Sequence, residues 1–148
     1  VLSLRARNSE RTRQRYLCVP MYKGKFLLIN QYRHPIRAYQ LCFPRGFGED
    51  GLSAFENAKK ELAEEIGATV EKTFSLGEVS ADSGLSFGIA DVVLCEASSY
   101  ETQKGYEGIV SSLELSPDEL KEKISKGEIN DGFTLSAFAL YEAMKNKM

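Results

Sequence analysis

Three glutamates, Glu61, Glu64 and Glu65, fall within little more than one turn's length of sequence and follow a glycine-bearing stretch, Gly46-Phe-Gly-Glu-Asp-Gly51. On a helix, at about 100° per residue, the three carboxylates occupy an arc of roughly 100°. Like charges so placed repel and weaken an isolated helix by about a few tenths of a kcal/mol per pair. Two chemistries suit such a cluster. One is a solvated, lysine-flanked helix face. The other is an oxygen ligand set for a hard divalent cation, Mg²⁺ or Mn²⁺, which converts the repulsion into attraction. The residue types alone leave both open.

The element that must position these acids is legible. Ser53 followed by Glu56 is a capping box, in which each side chain satisfies a free backbone N–H at the helix start. Gly67 is a natural stop, because it enters the left-handed region without penalty. Between them Phe55, Ala58, Leu62 and Ile66 form one apolar stripe. The acids lie beside that stripe rather than opposite it, on the rim of a packed helix.

Gly46 to Ala68 resembles the signature of the Nudix hydrolases, G-x5-E-x7-R-E-U-x-E-E-x-G-U, with U a bulky aliphatic residue. Gly46 matches the opening glycine, and Glu61, Leu62, Glu64, Glu65 and Gly67 match the closing half in register. Leu52 stands where the signature has its first glutamate, Lys60 where it has arginine, and Ala68 at the last aliphatic position. In the family that glutamate and arginine support loop and helix through their mutual contact. Here both are replaced together, and Glu56, four residues before Lys60, is placed to supply a helical pair instead. The resemblance implies an α/β (α+β) fold, an α/β/α sandwich with a mixed central sheet. It also implies Mg²⁺ or Mn²⁺ held by Glu61, Glu64, Glu65 and the backbone carbonyl of Arg45, just before the opening glycine.

Outside this segment, Gln31-Tyr32-Arg33 and the later Phe43-Pro44-Arg45-Gly46 resemble the ADP-ribose pyrophosphatase branch of the family. Arg33 matches the arginine that contacts substrate there, and a planar guanidinium fork suits phosphate oxygens. Cys42 and Arg45 depart from that branch, and Pro-Arg-Gly is similar to the Pro-Lys-Gly of dinucleoside polyphosphate hydrolases and decapping enzymes. The Arg45 side chain is then expected to meet a substrate phosphate or to point into solvent, with Gly46 beside it. In the loop Ser80–Gly88, Phe87 is either a stacking surface for a base or ribose or a core anchor. In the polar loop Ser98–Gly108, the branch carries its general base shortly before the next strand. Glu107 has that offset, and Glu101 is the reserve. The implied reaction is divalent-metal-dependent hydrolysis of the diphosphate linkage of ADP-ribose or a related nucleoside diphosphate sugar. Glu107, or the signature glutamate Glu64, would take the proton. Two rivals stand beside it: a dinucleoside polyphosphate or nucleoside triphosphate pyrophosphohydrolase, suggested by Pro-Arg-Gly, and a catalytically weakened domain that binds nucleotides, suggested by Leu52 and Lys60. His34, the one histidine, precedes a proline in a loop and is read as structural or peripheral.

Composition is consistent with these readings. The 148 residues suit a single domain, 1–148, with residues 1–15 as a basic arm or edge strand whose Arg5, Arg7, Arg11, Arg13 and Arg15 share one face if extended. A net charge of −2 argues against bulk nucleic-acid binding but not against a small nucleotide-linked ligand. Cys18, Cys42 and Cys95 lie far apart, which points to buried thiols in a reducing, cytoplasmic setting. No run is long or apolar enough to span a membrane, and no signal peptide is read. A homodimer is expected by analogy with the branch. The expected strands are Tyr16–Tyr22, Lys25–Gln31, Thr69–Val79 with a bulge at Gly77, Ile89–Ala97 and Ile109–Leu115. Two further helices are expected, Pro117 to about Lys126 and about Phe133 to Lys145.

Overall fold

A computed structural model describes residues 15–85, 88–102 and 104–148. In chain order the elements are β1 (Arg15–Tyr22), β2 (Lys25–Arg33), β3 (Ala38–Cys42), β4 (Arg45–Phe47), α1 (Ala54–Ile66), β5 (Thr69–Ser80), β6 (Ile89–Ser99), β7 (Ile109–Leu115), α2 (Pro117–Ser125) and α3 (Gly132–Met144). The strands follow the order β3-β2-β1-β6-β5, with β4 joined to β1 and β7 to β2. β1 and β6 run parallel, while the other pairings are antiparallel, so the sheet is mixed.

Strand periodicity sorts the core into two layers. From β1, Leu17 and Val19 enter one cluster and Tyr16 and Cys18 the other; from β2, Phe26 and Leu28 part in the same way from Leu27 and Ile29. The first cluster is closed by Leu120 of α2 and by Ala137 and Phe138 of α3, the second by Ala58, Leu62 and Ile66 of α1. Helices therefore cover both faces, which is why the central strands read as continuous apolar runs. The expected α/β/α sandwich is the fold observed.

Local chemistry sets the ends of α1. Ser53 and Glu56 form the reciprocal capping box, and Gly67 closes the helix at φ 57°. The register of β5 on β6 shifts between Ser75 and Gly77, where the bulge was expected. Two expectations change. Phe55 is 40% exposed, so the buried stripe of α1 runs through Asn57, Ala58, Leu62, Glu65 and Ile66 instead. The segment after Arg33 is not all loop: a short 3-10 turn at His34–Ile36 leads into β3, which pairs with β2 from Ile29↔Cys42 to Arg33↔Ala38. The two prolines sit outside that pairing, where a missing N–H costs nothing.

Candidate active site

A cavity of about 580 Å³ opens where the glycine-bearing loop, α1 and the loop before β7 meet; Arg33, Arg45, Gly46, Glu61, Glu64 and Glu107 are among the residues that line it. Each comes from a different sheet or helix position. Arg33 ends β2, Arg45 and Gly46 lie on β4, the two glutamates belong to α1, and Glu107 belongs to a 3-10 turn at Tyr106–Gly108.

α1 turns its three acids to three environments. Glu65 is 1% exposed, Glu61 is half-buried and Glu64 faces solvent. Carboxylate oxygens of Glu61, Glu65 and Glu107 lie within 4.8 Å of one another. Glu64 stands outside this triplet at the rim, where it accepts a hydrogen bond of 3.3 Å from the Tyr106 hydroxyl and has the Lys60 ammonium 4.0 Å away. Burial, then the hydrogen bond and charge of Glu61, push the Glu65 carboxyl up to about 10, and burial also raises Glu61. The Arg33 guanidinium opposes the shift at Glu65. Both carboxyls are thus biased toward the protonated form, a bias that a divalent ion bound between them would oppose.

The residues present fit such an ion. Glu65 Oε2 is buried with no hydrogen-bond partner among the described residues, a costly arrangement unless something else satisfies that oxygen. Gly46 leaves the space: a Cβ there would stand 2.8 Å from Glu61 Oε1. Tyr16 steadies the other oxygen of Glu61, its hydroxyl lying 3.2 Å from Oε2 and 3.1 Å from the Phe47 carbonyl.

The loop that brings Glu107 in is held from below. The buried Gln31 donates a 2.8 Å hydrogen bond to the Glu107 carbonyl. Glu107 itself adopts φ 47°, a left-handed conformation uncommon for a non-glycine residue and frequent at functional sites. The reserve acid Glu101 is not among the residues lining the cavity; its backbone N–H donates to Ile66 at the end of α1.

The two arginines differ. Arg33 Nη2 lies 3.7 Å from the Cys42 sulfur; among the described residues its buried Nε has no hydrogen-bond partner, and no carboxylate forms an ion pair with it. Arg45 is engaged: its guanidinium meets the buried Asp131 at 2.6 Å and lies over the Phe133 ring at 4.8 Å. Of the two placements expected for the Arg45 side chain, the one in open solvent gives way to this pair, and the side chain still lines the cavity. The expected Glu56–Lys60 pair gives way as well, because Glu56 is spent on the cap and the Lys60 ammonium contacts Glu49. His34 is exposed and packs edge-on against Tyr32, at the periphery as expected. Phe87 and the arginines before Arg15 lie outside the described residues, whereas Arg15 lines the cavity and lies over the Phe47 ring.

Sequence reasoning passed over Asn57, Asp131 and Tyr106. Asp131 with Thr134 carried a legible signal, the spacing of an N-cap, and both are satisfied in that role. Asn57 had a weaker one: a polar residue on the buried stripe, four positions before Glu61. Tyr106 had none.

Comparison with known proteins agrees with the geometry. A 60-residue stretch is 43% identical to a mouse ADP-sugar pyrophosphatase, covering 40% of this chain and 28% of that protein. This chain thus matches just over a quarter of the length of that relative. A crystal structure of an ADP compounds hydrolase superimposes with a TM-score of 0.82 over 94% of this chain and 76% of its own, at 22% identity. A NUDIX hydrolase from Nitrosomonas europaea superimposes with a TM-score of 0.69 over 90% of each chain, at 20% identity. At those identities the two structures speak for the fold. The NUDIX domain family matches residues 11–133, which takes in the glycine-bearing loop, the acidic helix and the strand wall opposite them. With that span matched, the chain belongs to the NUDIX domain family.

Proposed function

We propose that the chain is a divalent-metal-dependent pyrophosphohydrolase of ADP-ribose or a related nucleoside diphosphate sugar. The observation that carries the reading is the convergence of Glu61, Glu65 and Glu107 within 4.8 Å. The cavity they share also holds Arg33, which no carboxylate among the described residues pairs by direct contact. The names of the mouse relative and of the ADP compounds hydrolase support the substrate class.

In this reading Glu61 and Glu65 would hold Mg²⁺ or Mn²⁺, and Glu64 at the rim and the Arg45 carbonyl on the facing strand would offer further oxygens. Such an ion, when bound, would supply charge neutralisation of the diphosphate and a lowered pKa for a bound water. Arg33 grips a phosphate with the fork that no carboxylate occupies. Gly46 keeps the strand close to Glu61, and Tyr16 fixes that carboxylate. Glu107 reaches in from a separate loop and takes the proton of the attacking water. The water oxygen bonds to one phosphorus as the bridging P–O bond breaks, and ADP-ribose yields AMP and ribose 5-phosphate. Arg45 is held by Asp131 and so contributes its backbone and the shape of the wall rather than a phosphate contact. That engagement argues against the rival built on Pro-Arg-Gly.

A panel of ADP-ribose, other nucleoside diphosphate sugars, dinucleoside polyphosphates and nucleoside triphosphates tests the proposal, assayed with Mg²⁺ and with Mn²⁺. The expected result is turnover of the diphosphate sugars with nucleoside monophosphate as product. Turnover of the polyphosphates alone would transfer the assignment to the rival, and calorimetric binding without turnover under either metal would leave a nucleotide-binding domain.

A further inference from the structure

We propose that Asn57, seconded by the Glu49–Lys60 ion pair, is the positioning device that holds the glycine-bearing loop against α1 and thereby sets the metal-binding geometry of Glu61. The inference rests on the metal site proposed above.

Asn57 is 4% exposed, although its side chain carries two polar groups that would be costly to bury unpaired. Both are satisfied by the loop. Its Oδ1 accepts from the Glu49 backbone N–H at 2.9 Å, and its Nδ2 donates to the Leu52 carbonyl at 3.4 Å. The turn between them is closed by the Leu52 N–H on the Glu49 carbonyl at 3.3 Å. One side chain of α1 thus holds both ends of the turn Glu49–Leu52. The helix start does not require it, because Ser53 and Glu56 already form the cap.

Lys60, one turn further along α1, contacts the Glu49 carboxylate. This pair joins loop to helix although Leu52 offers no charge. With side chains 44% and 58% exposed, the pair is the weaker half of the device, and the buried amide is the stronger.

The loop's position matters because of Gly46 at its start. The ideal Cβ position on Gly46 is 2.8 Å from Glu61 Oε1, so backbone and carboxylate are in close approach. The pairing of β4 with β1 (Tyr16↔Gly46) fixes that wall, and the tie through Asn57 holds α1 to the loop that continues from it. An α1 released from the loop shifts Glu61 against the wall, and the carboxylate no longer holds one orientation toward Glu65 and Glu107. Partners hydrogen-bonded directly to metal ligands are worth about 10- to 100-fold in metal affinity when removed, and Asn57, one contact further out, is expected at the lower end of that range.

The test is Asn57→Ala, read in two ways. In the metal-free protein, hydrogen exchange at the Glu49 amide should accelerate by at least tenfold while the amides of β6 keep their protection. In calorimetric titration with Mn²⁺, affinity should fall by about tenfold. Glu49→Gln and Lys60→Met should each cost less, the double variant should be no worse than either single, and Lys60→Arg should bind Mn²⁺ as the parent does. These surface variants also carry the test if Asn57→Ala does not fold. In that case additive losses, or Mn²⁺ affinity unchanged in the double variant, would overturn the coupling. Mn²⁺ affinity in Asn57→Ala equal to that of the parent, or an unchanged Glu49 amide, overturns this inference while leaving the metal site standing. A parent protein that does not bind Mn²⁺ overturns the metal site and this inference with it.

Discussion

The two faces of the sheet are built to different ends. Under α3 the layer is apolar and aromatic. Phe26 lies at its centre, 5.8 Å from Phe43, 5.8 Å from Phe138 and 4.8 Å from Tyr141, in tilted and edge-on contacts. Its polar members, Asp131 and Thr134, are matched by the cap of α3, the Phe43 N–H and Arg45. Under α1 the layer carries three buried cysteines and borders Gln31, Asn57 and Glu65. One of the Glu65 oxygens is unmatched among the described residues. One face is close to what packing alone would choose, and the other keeps a poorly matched carboxylate beside the cavity, a departure that the proposed cation site would account for. Substitutions on the two faces should therefore have opposite signatures.

The sharpest contrast is Glu65→Gln. On the proposed mechanism it should lower the rate by about 10³-fold or more, in the range seen when a central electrostatic group is lost. Circular dichroism should show the fold intact, and the metal-free melting temperature at pH 8 should rise. Activity within threefold of the parent would break the comparison at its centre.

Phe26→Ala should do the reverse, destabilising the protein by about 3–5 kcal/mol in denaturant titration while kcat per folded molecule stays near that of the parent. A large loss of kcat at full folding would mean that the α3 face also shapes the site.

Gly46→Ala comes next. The added methyl group would stand 2.8 Å from Glu61 Oε1, and the expected result is a drop in Mn²⁺ affinity of about tenfold with little change in melting temperature.

The last contrast is the pH dependence of the metal-free protein. In the unfolded chain Glu65 ionises near its ordinary 4.5, whereas burial beside Glu61 lifts it toward about 10 in the fold. Between those values the native state holds the extra proton, so stability falls as pH rises. Metal-free melting temperatures should decline from pH 5 to pH 9, and either Mg²⁺ or Glu65→Gln should flatten the slope.

Most of what is local in this protein was legible beforehand. The capping box at Ser53 and Glu56, the stop at Gly67 and the bulge near Gly77 follow from backbone rules that act over a few residues. The continuous apolar runs of the central strands fit a sheet covered on both faces. Where local rules compete, reading along the chain was less secure. Glu56 satisfies the cap and so is not the partner of Lys60, and β3 extends through a segment whose prolines suggested loop.

By itself the sequence determined that α1 exists, where it starts and stops, and that its acids share a rim, because helix periodicity and end chemistry are properties of neighbouring residues. Only the tertiary structure decided that Glu65 turns inward while Glu64 stays in water, and that Glu107 comes within 4.8 Å of Glu61 and Glu65. It likewise decided that Asp131 engages Arg45 while Arg33 has no ion-pair contact with a carboxylate among the described residues. Those outcomes depend on how the sheet brings distant segments together and how much water each site retains. Both are set by packing across the fold rather than by spacing along the chain.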